Sequence, residues 1–378
     1  MSDNRARYIM IGGFLGAGKT TALAALAKRL TASGQRVGLI TNDQSRDLVD
    51  TSILRSHGFA VEEISGGCFC CRFNSLSEAA ERLTAVTKPE VFIAEPVGSC
   101  TDLLATVSYP LRRIHGDRFV IAPLSVMVDP ARARRILGLA EGRSFSEKVI
   151  YVYEKQLEEA ALIVVNKCDQ HEAEEIEELS LRLGERFPQA EVLTVSAKNE
   201  QGLDAWFDRI LSEEDDPAPT MNVDYQLYAE GEALLGWLNM TASLRGETMF
   251  NANELLVQLS QRVLAELDGR GLEIAHFKLT LDSPEAGGQL AALSMTTNES
   301  GADLREALLD GIHTGELILN LRAEADPDLL LQVCLAALDQ VQSATMGLSI
   351  KVQHEEHFRP SPPVPTHRVE LTATGELS

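Results

Sequence analysis

Eight residues near the start of the chain, Gly13 to Thr20, fit the pattern G-x-x-x-x-G-K-[ST], and this segment constrains the fold more tightly than any other. A loop of that composition works only if a strand delivers it and a helix follows. Both are legible: Arg7 to Ile11 is largely apolar, and Thr20 to Ser33 has helical composition. The glycines let successive backbone N–H groups turn inward around a β-phosphate, and the helix N-terminus adds its positive end. Lys19 then reaches the β and γ oxygens while the Thr20 hydroxyl meets Mg²⁺. Gly13, Gly16, Ala17, Gly18, Lys19, Thr20 and Thr21 are therefore the candidate phosphate-binding residues.

The alternation of apolar strand and helix continues through the first half of the chain. Val37 to Asn42, Val61 to Ile64, Val91 to Glu95, Leu124 to Val128, Ala161 to Asn166 and Glu191 to Val195 read as strands, most of them apolar on both faces. The expected class is α/β: a P-loop NTPase with a doubly wound, mostly parallel sheet. At 378 residues the chain exceeds what one core sustains, so a second domain is expected. The first domain is assigned to residues 1–211, and the acidic, proline-bearing stretch Ser212 to Thr220 reads as a linker. Residues 221–355 read as a smaller α+β domain, with helices at Asn253 to Leu267 and Pro327 to Leu338. Its strands are expected at Leu272 to Leu281, Gln289 to Ser294, Glu316 to Arg322 and Leu348 to Gln353. Residues 356–378, with Pro360, Pro362, Pro363 and Pro365, are expected to stay extended as a tail.

Two later segments select the base. Asn166, Lys167 and Asp169 form an N-K-x-D loop at the end of an apolar strand. Asp169 would accept hydrogen bonds from guanine N1 and its exocyclic amine, while Asn166 and the Lys167 stem hold the loop and flank the ring. Adenine lacks that donor pair and would leave the carboxylate unpaired, so GTP or GDP is expected rather than ATP. Ser196, Ala197 and Lys198 follow the next strand and would close over the guanine edge. For hydrolysis the candidates, beside Lys19, are acids at strand ends. Glu95 is placed to reach Mg²⁺ or orient a water, and Asp43 to act as a switch residue, with Asp129 a weaker candidate.

Cys68, Cys70 and Cys71 place three thiols in four positions beside a Gly66-Gly67 turn. Soft sulfur ligands select Zn²⁺ or Co²⁺ over Mg²⁺, and three of them leave a tetrahedral ion one open position, which suits transient carriage. Cys100 could join only if its loop folds over the cluster. Cys168 and Cys334 read as packing residues, and His354, Glu355, Glu356 and His357 as a solvated strand end or tail.

Composition removes several classes. A formal net charge of −22 repels phosphate backbones and anionic lipids, so neither nucleic acid nor membrane is expected as partner. Arg132, Arg134 and Arg135 read as a solvated helix face. The apolar run at the start is too short for a signal peptide and no transmembrane stretch is present, so the expected location is cytoplasmic, where thiols stay reduced.

Together, the Gly13 to Thr20 loop, the Cys68-x-Cys70-Cys71 cluster, the Glu95-Pro96-Val97-Gly98 segment and the Asn166 to Asp169 loop resemble the CobW-type P-loop GTPases, relatives of the nickel-insertion GTPases that serve urease and hydrogenase. The resemblance spans roughly residues 7 to 211. It implies a metallochaperone in which Cys68, Cys70 and Cys71 are metal ligands and Lys19, Thr20 and Glu95 serve nucleotide and Mg²⁺. Hydrolysis would release Zn²⁺ or Co²⁺ to a client metalloenzyme or a cobalamin-assembly protein, and a homodimer is compatible with the relatives. The other expectation is a GTPase that gates assembly of a corrinoid or other cofactor-dependent enzyme without carrying metal. Val97, Ser99 and Cys100 stand where the family usually has small hydroxyl residues and Gly-Leu-Ala, and its histidine-rich stretches are missing.

Overall fold

The computed structural model describes residues 5–42, 54, 57–215, 218–299 and 301–371. They fall into two compact units. The first is built from described residues up to 42, from 57 to 229 and from 362 onward, the second from 230 to 361.

The first unit is a parallel sheet of eight strands: β1 (Ala6–Gly13), β2 (Val37–Asn42), β3 (Val61–Ile64), β4 (Val91–Glu95), β5 (Phe119–Ile121), β6 (Ser125–Val128), β7 (Leu162–Val165) and β8 (Glu191–Thr194). Their order is β3-β2-β4-β1-β6-β7-β8, with β5 also paired to β1. Apolar residues such as Ile9, Leu39, Ile93, Val126 and Val164 are buried throughout, because helices cover both faces. All the recorded pairings are parallel, so every strand presents its carboxyl end to one edge, where the loops that bind ligands belong. The chain leaves β1 toward β2 on one side and later fills β6 to β8 on the other, which puts the loop after β1 at the switch point. The helix Leu203–Ser212 is locked on by Trp206, fully buried and donating to Ser125 Oγ at 2.8 Å.

The second unit is an antiparallel sheet. Its strands are β9 (Leu235–Phe250), β10 (Ile274–Asp282), β11 (Leu290–Met295), β12 (Asp303–Glu306), β13 (Ile312–Glu324) and β14 (Leu348–Phe358), in the order β12-β11-β10-β13-β9-β14. Helices Ala252–Gly269 and Pro327–Ala344 bury Leu256, Leu259, Val263, Leu330, Cys334 and Val341 in its core. Cys334 is thus a packing residue. Arg322 is fully buried, its guanidinium 3.9 Å from the Trp237 ring and bonded to Leu238 O and Asn239 Oδ1.

The elements differ from those expected in several places, β5 and β12 among them, which were not anticipated. The two compact units divide after residue 229, and Tyr109 and Arg112 bind Ala218 and Asp215 of the stretch read as a linker. Asp215 is 6% exposed, its N–H donates to Ile121 O at 2.8 Å, and Arg112 pairs with its carboxylate at 3.4 Å. The 16-residue β9 had no counterpart in the expected strands. β14 runs on to Phe358 instead of ending at Gln353, so residues 354 to 357 are its mostly exposed end, the strand-end alternative expected for them, and His357 sits 3.0 Å from Asp328.

Candidate functional site

The loop after β1 has the shape its glycines allow. Gly13 and Gly18 have φ of 128° and 93°, which only glycine adopts without strain, and a Cβ on Gly13 would lie 2.4 Å from Met127 O. Gly16 shares the left-handed region and Ala17 N donates to Phe14 O. The helix Lys19–Ala32 opens directly from Gly18, with Thr21 half-buried in its first turn. The Lys19 ammonium lies across the loop mouth, 2.9 Å from Gly13 O and 4.0 Å from the Glu95 carboxylate. Glu95, at the end of β4, accepts from the Thr20 hydroxyl at 3.2 Å. Hydroxyl and carboxylate therefore form a buried set of hard oxygen donors, the kind Mg²⁺ takes. Asp43 lies outside the described residues.

Asn166 ties three loops together. Its Nδ2 donates to Ala17 O in the phosphate loop, and its Oδ1 accepts from Ala197 N, both at 2.9 Å. Lys167 follows at φ 59° and is 2.5 Å from the Asp129 carboxylate at the end of β6. Burial alone would raise the Asp129 pKa, but Lys167 and Arg132 overcome it and hold the group at about 2. Asp129 also caps the helix Pro130–Ile136 by accepting from Arg132 N, so its work is to brace the Asn166 loop rather than to face phosphates. Asp169 is exposed on that loop, and Lys198 is exposed on the neighbouring one, where Ser196 is buried and paired to Gln201. Cys168 is half-buried between Lys167 and Asp169.

The basic cluster is not a solvated face. Arg132 is 2% exposed, bonds Leu15 O, and lies 5.2 Å from the ring centres of both Phe14 and Phe145. It stiffens the phosphate loop from behind. Arg134 pairs with Glu175 and Glu178, and Arg135 bonds Ala131 O and Arg143 O. Composition alone made them look alike, because nothing in a run of arginines says which one points inward.

The three cysteines sit between β3 and the helix Phe73–Thr87. Gly66 and Gly67, at φ 78° and 147°, turn the chain, and Cys71 N and Arg72 N both close onto Cys68 O. The sulfurs of Cys68, Cys70 and Cys71 all lie within 4.8 Å of one another. Asn42, the last residue of β2, donates to Ile64 O and Gly67 O and so fastens this turn to the carboxyl edge of the sheet. The Cys70 thiol is held well above its usual pKa, first by its contact with Cys100, then by Cys68, Cys71 and burial. A cation that binds it must displace a proton.

Beyond β14, the described part of the tail has no regular structure but is not loose. Val364 N–H donates to Cys71 Sγ at 3.2 Å, Thr366 bonds Cys70 O and Cys71 O, and His367 meets Phe73 edge-on. Arg368 pairs with Asp102 at 2.8 Å, and Val369, 6% exposed, donates to Ala105 O. Neither Asn42 nor this strap was singled out in the sequence. Asn42 alone carried a signal, as the polar end of an apolar strand.

A parallel sheet with such a loop at its switch point, and a second antiparallel unit after it, defines a P-loop nucleotide-binding protein of the doubly wound class. Residues 7–194 match the family described as "CobW/HypB/UreG, nucleotide-binding domain", and the domain they form belongs to that family. A curated relative, the zinc chaperone CobW of Pseudomonas aeruginosa, is 24% identical over 213 residues, half of this chain and 56% of that protein. The match thus spans little more than half of the relative's length. Among solved structures, the hydrogenase maturation factor HypB of Archaeoglobus fulgidus aligns at 20% identity over 54% of this chain and 87% of its own, with a TM-score of 0.37. The Zn(II)-bound YjiA GTPase of E. coli aligns at 15% identity over 89% of this chain and 99% of its own, with a TM-score of 0.38.

Proposed function

We propose that the chain is a GTP-binding, GTP-hydrolysing metallochaperone that carries Zn²⁺ or Co²⁺ on Cys68, Cys70 and Cys71 to a client metalloenzyme or cobalamin-assembly protein. The observation that carries this reading is the cluster of three sulfurs, tied through Asn42 to the sheet edge that also bears the phosphate loop. The curated relative's name, a zinc chaperone, supports it.

In this reading, backbone amides from Gly13 to Thr20 cradle the phosphates and Lys19 neutralises the β and γ oxygens. Asp169 reads guanine, with Ser196, Ala197 and Lys198 along its edge. Thr20 and Glu95 would hold Mg²⁺, which supplies positive charge against the leaving phosphate. Asp43 completes the switch. The cargo metal is soft enough to prefer sulfur, and a reducing, cytoplasmic setting keeps the thiols available. Among the described residues, no helix is long and apolar enough to cross a membrane.

The test is GTP turnover and anaerobic metal binding measured together. The full chain should bind Zn²⁺ or Co²⁺ and turn over GTP at a rate that changes with metal, and replacing Cys68, Cys70 and Cys71 with serine should remove both the binding and the coupling. Metal binding equal in the serine variant would sink the carrier; GTP-dependent loading of a partner that survives the serines would favour a switch that gates assembly instead.

A further inference from the structure

Three thiols suffice for carriage, but the structure brings up a fourth. Cys100 is 1% exposed, and its sulfur lies 3.9 Å from that of Cys70, while Cys70 and Cys71 are 3.7 Å apart. A zinc–sulfur bond of about 2.3 Å gives a tetrahedral edge of about 3.8 Å between sulfurs. Two of the spacings thus match edges of such a tetrahedron, but the sulfurs that all lie within 4.8 Å of one another are those of Cys68, Cys70 and Cys71 alone, so the Cys100 loop has to close further toward Cys68 and Cys71 to complete it. The third, 3.2 Å between Cys68 and Cys71, is shorter, so an ion would have to spread that pair.

The loop bearing Cys100 is not there by accident of packing. Gln156, from the helix Glu147–Glu158, donates from one amide nitrogen to Gly98 O at 2.9 Å and Cys100 O at 2.8 Å. Tyr228 Oη accepts from Thr101 N at 3.3 Å. Gly98 lies so close to the phosphate loop that a Cβ would fall 2.7 Å from Leu15 Cδ2. The segment therefore starts at Glu95, touches the phosphate loop at Leu15 and ends at the thiol cluster.

We propose that Cys100 is the fourth thiolate of the cargo site, positioned by Gln156 and delivered by the loop that begins at Glu95. The inference rests on the carrier reading above. Each thiol gives its proton to solvent as it binds, and the ion ends with four sulfurs and no open position. Cargo held this way leaves only after one sulfur lets go, and Cys100 is the sulfur on the segment that touches the nucleotide loop.

The unmodified chain, loaded anaerobically with one equivalent of zinc, should show four sulfurs at about 2.3 Å by zinc-edge X-ray absorption. Three sulfurs with a lighter fourth neighbour would overturn the proposal and leave the carrier reading standing; no bound zinc would remove both. As a second measurement, the sulfur-to-metal charge-transfer band of the Co²⁺ form should fall by about one quarter in Cys100→Ser and Cys100→Ala, and Co²⁺ affinity by about ten-fold or more. Melting in the presence of a chelator would show whether each variant is folded. Variants that fold yet match the unmodified chain in band and affinity would exclude Cys100.

Discussion

Asn166 joins with one side chain what the sequence keeps far apart: the phosphate loop at Ala17 and the Ala197 loop, both at 2.9 Å. The residue is 3% exposed, so water cannot replace either bond. Truncation in Asn166→Ala strands a buried carbonyl and a buried N–H, each costing about 1–3 kcal/mol. The loss acts on the geometry that receives a nucleotide. GDP affinity, measured by calorimetry with Mg²⁺, is expected to fall about ten-fold or more, since about 1.4 kcal/mol is one decade. Unchanged affinity would show that the loops hold their places by other means. Asp129 supports the same loop through Lys167, which explains why an acid that looked from sequence like a weak hydrolytic candidate turns out to brace the loop instead.

At the scale of elements, the strap of residues 362–371 makes the clearest prediction. Its anchor is Val369, 6% exposed, and its nearest contact to a thiol is the Val364 N–H on Cys71 Sγ. Val369→Asp buries a charge that cannot be accommodated, so the strap should lift while the sheet beneath it persists. Cys71, half-buried, should then react with a thiol reagent about ten-fold faster, as each 1.4 kcal/mol of lost local stability would give. Equal rates in both proteins would mean that the strap does not limit access. Nothing in the sequence foretold this contact. Prolines at 360, 362, 363 and 365 argued for an extended chain, and such a chain carries no periodicity to say which surface it crosses. The strands were legible because buried parallel strands are continuously apolar: Val37–Asn42 and Val91–Glu95 stand where they were expected. The half-exposed end of β9, with Arg245, Glu247 and Thr248, lacked such a run and went unread. The thiol cluster was legible from spacing alone. The place of Cys100 was not, because it depends on Gln156, more than fifty residues downstream and ordinary in its own helix.

At the scale of the molecule, 56 acidic against 34 basic residues make stability depend on pH in a diffuse way, through general repulsion. One group should stand out from that background. Glu159 is 6% exposed at the C-terminal end of the helix Glu147–Glu158, where the helix dipole disfavours a negative charge. It accepts from Thr101 Oγ1 at 3.2 Å and Leu104 N at 3.0 Å, yet burial, and then the nearby Asp102, push its pKa up to about 8. A carboxyl whose folded value is raised holds a proton in the native state that the unfolded chain has already released. Its contribution is therefore complete below the unfolded value, about 4.3, and is lost as pH rises toward about 8. Glu159→Gln keeps a neutral group of the same shape, and the Thr101 hydroxyl can turn to accept from the new amide. Urea midpoints should agree for the two proteins near pH 4 and diverge above it in favour of the variant. The difference should grow by up to about 1.4 kcal/mol per pH unit before levelling off past pH 8. Since the two chains differ at one titrating group, general repulsion cancels between them, and parallel curves across the range would mean that Glu159 ionises in the folded protein like any exposed carboxylate.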